Sequence, residues 1–315
     1  MNFVSFEISI AAVIPAVLLA VYVFLKDKVE KEPIGLLAIL FAAGGLSQFA
    51  AFYVEKLVVG LVDRLFEGSV TYSIQGLPTF SSPLAEYGHG FLVVFIGVAL
   101  VEEVVKWAVM FFITFKNKHF NCLFDGIVYG TFVSLGFGLV ENVRYAWLGG
   151  WDTLLIRSLT SVPGHLYFGV IMGYCYTMWR AHRSAAIAEK EYARGGLIQV
   201  EKPFRSWGWF VAMILLPILE HGVYGFAGYF QTTAFKILFY ILNAIFFIAC
   251  MLGVKRVSES DTYSGRYADY LLDRKYPETK EICDDVEEDL EEIKELIEDI
   301  IEDKETEEEE ETDEK

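Results

Sequence analysis

The sequence predicts an all-α protein of the polytopic membrane class, a helical bundle of about seven transmembrane helices followed by an acidic cytoplasmic C-terminal tail. Three observations support this class. The 315 residues are 54% hydrophobic with a mean hydropathy of +0.38, too apolar for a soluble domain of this size. The apolar residues fall into runs of the roughly 20 residues that a bilayer crossing needs. The Lys and Arg residues alternate between successive loops. The net charge of −17 is a local feature, because residues 281–315 alone hold 21 acids and three lysines. The chain before them is near neutral, and nothing in it points to nucleic acid.

The first span is Phe3 to Leu25. It lacks a basic start and a small-residue cleavage site, so it reads as a retained helix rather than a signal peptide. Lys26, Lys28 and Lys31 follow, then a second span, Pro33 to Val54. Lys56 to Gly88 reads as a polar loop whose amphipathic start (Leu57, Val58, Leu61, Val62, Leu65) suits the membrane surface. The third span is Gly90 to Phe115, the fourth Phe124 to Trp147 and the fifth Leu154 to Trp179. Arg180 to Arg205 is a loop with six Lys or Arg. Trp207 to Tyr229 and Phe235 to Val254 complete the set. The odd-numbered spans are followed by the basic loops, which places the N-terminus outside and the C-terminus in the cytoplasm of a multi-pass cell-membrane protein. The cysteines Cys122, Cys175, Cys250 and Cys283 show no metal-type spacing and imply no disulfide framework.

The third span contains Glu102, Glu103 and Lys106. Each ionisable residue at a helix centre costs about 2.5–3.5 kcal/mol on insertion scales. Lys106 stands four residues after Glu102 and three after Glu103, both contact spacings on a helix. One lysine is expected to neutralise one carboxylate, leaving the other to a proton, a metal or another helix. The fourth span has Gly126, Gly130, Ser134 and Gly138 at intervals of four, a stripe for close helix packing. Phe137, Glu141 and Asn142 follow, with Arg144 as a nearby partner for Glu141 at the surface. The fifth span holds Pro163-Gly164-His165 and the sixth Pro217 and Glu220-His221-Gly222. Each proline is expected to bend its helix just before a histidine. At 1.5 Å per residue, Glu102, Glu141, His165 and His221 all lie roughly 9–18 Å below the outer surface.

Carboxylates and histidines in one layer are what hydrolysis inside a membrane needs. A carboxylate can act as general base on water, and histidines can bind a metal or hold an oxyanion. Two His and one Glu also form a catalytic zinc set with an open position. The His-Glu-x-x-His signature is absent, so any metal must be held between helices. Intramembrane Glu and His also build proton relays and cation sites in transporters, although no inverted repeat accompanies them here. A third alternative is an inactive scaffold.

The motifs resemble those of the PrsW family of intramembrane proteases, distant relatives of the CAAX prenyl protease and Abi membrane proteins. Glu102-Glu103-Val-Val-Lys106 matches its E-E-x-x-K, and Phe137-Gly-Leu-Val-Glu141-Asn142 its F-x-x-x-E-N. His165 and His221 match its two later histidine motifs. The resemblance covers about residues 90–229. It departs at Gly225, where the family often has an Asp four residues after the histidine. The resemblance implies an intramembrane peptidase whose substrate is a membrane-anchored protein, as the anti-sigma-factor-like regulators cut by some members are, with Glu102, Glu103, Lys106, Glu141, His165 and His221 as site residues. The mechanism it implies is either glutamate-based without a cofactor or zinc-dependent. In the zinc version His165, His221 and Glu141 bind Zn2+ and Glu102 is the base.

The domain reading is a bundle over 1–256 with its motif core at 90–229, a linker over 257–281, an acidic amphipathic helix over 282–301 and a disordered acidic tail over 302–315. Ile282, Val286, Leu290, Ile293, Ile297 and Ile300 form the helix stripe, suited to a cytoplasmic partner.

Overall fold

The computed structural model describes residues 3–72, 78–230, 232–277 and Lys294. The acidic helix over 282–301, the tail over 302–315 and Cys283 lie outside them. Two units are distinguished: residues 1–181 with 205–265, and residues 182–204 with 266–315.

The larger unit is helical. Its elements are α1 (Phe3–Lys26), α2 (Ile34–Leu65), a hairpin of β1 (Val70–Tyr72) and β2 (Pro78–Phe80), α3 (Pro83–Phe91), a π-helical stretch (Leu92–Ala99), α4 (Leu100–Thr114), α5 (Asp125–Leu159), α6 (Ser161–Arg194) as far as residue 181, α7 (Trp207–Tyr229) and α8 (Thr233–Glu259). The hairpin is antiparallel with Thr71 opposite Thr79. By length and composition, five runs among the described residues suit a membrane crossing, one of them spanning α5 and α6 together. Within that run an apolar stretch of 18 residues has 78% of its residues buried, against 17% for the corresponding stretch of α8, so the centre of the bundle lies along α5 and α6. The outer helices show lipid their apolar faces, such as Ile10, Ile14 and Leu18 on α1 and Ile241, Ile245 and Ile248 on α8. In lipid this exposure carries no hydrophobic penalty.

Glycines set the central contact. A Cβ on Gly130 would lie 2.2 Å from the Gly169 carbonyl oxygen, and one on Gly173 would lie 1.9 Å from that of Gly126. The small-residue stripe is therefore the surface on which α6 crosses α5 at backbone contact. This crossing aligns the residues C-terminal to the stripe on α5 with those at the start of α6, which is where Glu141 and His165 stand.

Several boundaries differ from the sequence expectation. The amphipathic stretch from Leu57 to Leu65 is not a surface segment but the continuation of α2. Its apolar spacing stays in register with the helix before it, so the chain has no reason to turn at Lys56. Pro163 sits in the first turn of α6, where the missing N–H breaks no internal bond, so it starts that helix rather than bending it. Pro217 does lie inside α7. Between Trp147 and Leu154 the chain stays helical except at Gly150, whose φ of +70° interrupts α5. That conformation is open to glycine without steric cost. The stretch 257–281, expected as a linker, carries the end of α8 and a helix α9 (Ser264–Lys275).

The smaller unit has its own core of Ala185, Ile198, Ala268, Leu272 and Tyr276. Buried Glu189 ties it together, accepting from the Phe204 N–H at 2.8 Å, from the Tyr276 hydroxyl at 2.7 Å and from Lys275.

Candidate active site

The π-helical stretch leads directly into α4, and the first turn of α4 presents Glu102 and Glu103 inward. Glu102 is 2% exposed, and Glu103 and Lys106 are fully buried. Lys106 Nζ donates to Glu102 Oε2 at 3.0 Å and to Glu103 Oε1 at 2.8 Å. The lysine thus holds both carboxylates, where the sequence suggested one. Its ammonium has three N–H donors, and spacings of three and four converge on it from the same helix face. The third donor meets His165 Nδ1 at 3.1 Å, and the ammonium also lies 4.4 Å from the Phe137 ring centre.

That allocation fixes the histidine. An ammonium can only donate, so His165 Nδ1 accepts and the ring proton is assigned to Nε2. Nε2 donates to Glu141 Oε2 at 3.0 Å. The same oxygen accepts from Arg157 Nη2 at 2.7 Å, and that nitrogen also donates to Ser161 at 2.7 Å. Glu141 pairs with Arg157 and not with Arg144, whose guanidinium lies over Phe52 and Tyr145. Arg157 stands in the segment after the Gly150 break. The sequence held a signal for it, an arginine inside an apolar span.

His221, on α7, stacks on Phe168 at 4.4 Å and brings Nδ1 to 2.8 Å from Glu103 Oε1 and 4.0 Å from Glu102 Oε2. Glu102, Glu103 and His221 offer ligand atoms that all lie within 4.8 Å of one another, the group so gathered among the described residues. The His165 ring meets that of His221 edge-on with centroids 6.3 Å apart, and both ring nitrogens of His165 are engaged, by Lys106 and by Glu141. The six residues singled out from the sequence therefore form one buried network.

The charges do not cancel. Three carboxylates (Glu102, Glu103, Glu141) face two cations (Lys106, Arg157), and Glu103 Oε2 is buried without a hydrogen-bond partner. An unpaired buried carboxylate oxygen is costly. Two carboxylates and an imidazole suit a divalent metal in donor type and spacing. Two further acids stand near. Half-buried Glu55, at the point where the second span was expected to end, interacts with Glu102 and Glu141, and Glu220 interacts with Glu103. The absent acid at Gly225 also has a structural counterpart. A Cβ there would lie 2.9 Å from Val94, and one on Gly222 would lie 2.2 Å from Phe95. Here α7 packs too closely on the π-helical stretch to hold a side chain.

A sequence model of the PrsW family intramembrane metalloproteases matches residues 32–251. The chain is similar to Protease PrsW of Geobacillus kaustophilus (strain HTA426), with 32% identity over 219 residues, 70% of this chain and 78% of the relative. Protease PrsW of Oceanobacillus iheyensis is 29% identical over 252 residues, covering 79% and 95% of the two chains. For that of Bacillus subtilis (strain 168) the identity is 28% over 225 residues, covering 70% and 82%. No solved structure matches.

Proposed function

The chain belongs to the PrsW family of intramembrane proteases, and from that premise we propose that Glu102, Glu103 and His221 form the hydrolytic centre, with Glu103 and His221 holding a divalent metal and Glu102 left free beside it. The observation that supports it is the buried gathering of these three donors beside an unpartnered Glu103 oxygen. Bound there, zinc or a similar ion would lower the pKa of a coordinated water and polarise a peptide carbonyl. The protein's own groups do the rest. Glu102 is the base that takes the proton from water and returns it to the leaving amine. Lys106 donates to Glu102 and to Glu103 and so aims both carboxylates at one point. His165, fixed as the Nε2–H tautomer by Lys106 and Glu141, prevents the ammonium from turning away. Arg157 neutralises Glu141 so that this second carboxylate does not compete for the Lys106 charge. His165 and Glu141 thus act as the orienting pair in this proposal.

The substrate class is a membrane-anchored protein, whose peptide bond reaches the buried centre within or beside the bilayer. The alternating Lys and Arg favour an external N-terminus and a cytoplasmic tail, which puts the centre in the outer half of the membrane.

The test is cleavage of a single-pass substrate by the purified protein in liposomes, with metal analysis of the same samples. Glu102→Gln is expected to insert and fold but not cleave. His221→Ala is expected to lose both bound metal and activity, and a chelator is expected to stop the wild type until zinc is restored. A fully active, chelator-resistant sample without a stoichiometric metal would overturn the metal centre and leave a glutamate-based one.

A further inference from the structure

A second acidic cluster lies among the segments that join the helices. It draws on the α1–α2 connection (27–33), the residues before α5 (121–125) and the residue after α8 (261). Backbone bonds knit two of these segments together. The Leu123 N–H donates to the Thr262 carbonyl at 3.0 Å, and the Ser264 N–H to that of Asn121 at 2.7 Å. The Asn121 amide donates to Glu30 at 3.0 Å, and the Tyr129 hydroxyl to Glu32 at 2.7 Å. The third segment is thereby attached to the other two.

The oxygens of this cluster are short of donors. Asp27 is 0% exposed, and neither of its carboxylate oxygens has a hydrogen-bond partner. Lys31 acts on Asp27 through its charge only, since its Nζ donates to the backbone carbonyls of Phe24 and Asp27, and the Glu32 N–H lies nearby. Asp125 is also 0% exposed; Oδ2 accepts the N–H groups of Asn121 and Cys122, while Oδ1 meets no N–H donor and the carboxyl of Glu32 is the side chain beside it. Asp261 accepts the Phe124 N–H on Oδ1 and leaves Oδ2 unpartnered. Asn121 Oδ1 is a further buried oxygen without a donor. The acids share one locality, since Asp27, Glu30, Asp125 and Asp261 all act on the buried Cys122 thiol. Fully buried carboxylates without donors are stable only if they meet positive charge or take up protons. Burial pushes Asp27 up to about 6 and Glu32 up to about 7, so this environment disfavours bare negative charge.

We propose that Asp27, Asn121, Asp125 and Asp261, with Glu30 and Glu32 at its edge, form a binding site for a hard divalent cation, separate from the catalytic cluster. Carboxylates and an amide carbonyl are the donors that calcium and magnesium take. No three of the cluster's carboxylates have oxygens within 4.8 Å of one another. An ion between them would draw the three segments together. The site would then act as a clasp on the ends of α1, α5 and α8.

The test uses the full-length protein in detergent, stripped of metal and titrated with calcium or magnesium chloride at constant ionic strength. The midpoint of thermal unfolding is expected to rise by roughly 5–10 °C at about 100 times Kd. The ion with the larger effect is the cognate one. Glu102→Gln/Glu103→Gln is expected to keep the shift, which separates this site from the hydrolytic centre. Asp27→Asn/Asp125→Asn is expected to lose it. No shift in the wild type with either ion, or an equal shift in the Asp27/Asp125 variant, would overturn the proposal. Equilibrium dialysis of the wild type with radioactive calcium gives a second measure that needs no variant to fold. About one equivalent bound beyond that of Asp261→Asn supports the site, and none refutes a calcium site.

Discussion

Gly138→Ala tests the geometry around His165 most directly. A Cβ at residue 138 would lie 2.3 Å from His165 Cδ2 and 2.6 Å from Cγ, whereas ordinary contact begins near 3.4 Å. The ring would have to retreat by about 1.1 Å. It cannot do so freely, because Nδ1 is bonded to Lys106 at 3.1 Å and Nε2 to Glu141 at 3.0 Å. Moving the ring that far takes at least one of these bonds beyond hydrogen-bond range. Each bond to a charged partner is worth about 1.5–3 kcal/mol, and overpacking adds about 1–3 kcal/mol. A total near 3–5 kcal/mol lowers the unfolding midpoint by roughly 10 °C in a protein of this size. A misplacement of about 1 Å in a catalytic assembly also costs on the order of 100-fold in rate. The assay is cleavage of a single-pass substrate in liposomes alongside thermal unfolding. Gly60→Ala is the control, since nothing lies within 4 Å of a Cβ at that position. Wild-type turnover and midpoint in Gly138→Ala would refute the placement of His165 between Lys106 and Glu141.

Three other outcomes follow from the same structure. Lys106→Met keeps the side-chain length but leaves Glu102 and Glu103 buried without their cation, so a loss of about 3–5 kcal/mol is expected, with abolished cleavage; unfolding midpoint and yield would check it. Glu189→Gln weakens the bonds that join Phe204, Lys275 and Tyr276 in the smaller unit, and faster hydrogen exchange at residues 264–276 is expected without loss of cleavage. A cysteine placed at Glu314 is expected to react with impermeant reagents only from the cytoplasmic side, and external labelling would reverse the assigned orientation.

The membrane class, and the charged residues that the structure joins in one buried network, were legible in the sequence for one physical reason. Charge inside an apolar span is costly, so Glu102, Glu103, Lys106, Glu141, His165 and His221 stand out against their surroundings. Arg157 carried the same signal and was passed over, while Glu55 was hidden because the second span was ended one residue early. The stripe from Gly126 to Gly138 was read as packing, and the structure gives it the α6 backbone as its partner.

The sequence by itself determined which segments are apolar, which residues bear charge within them, and which pairs on one helix can touch. Only the tertiary structure decided the partners across helices. It assigned Lys106 to both carboxylates and to His165, gave Glu141 to Arg157, and bonded His221 to Glu103 while setting its ring against that of His165. It also gathered Asp27, Asn121, Asp125 and Asp261 from three loops with no shared motif. Periodicity fixes which face of a helix a residue occupies, because that depends on near neighbours in the chain. Which face meets which depends on backbone contacts such as that of Gly130 with Gly169, made between residues far apart in sequence, and local spacing carries no record of them.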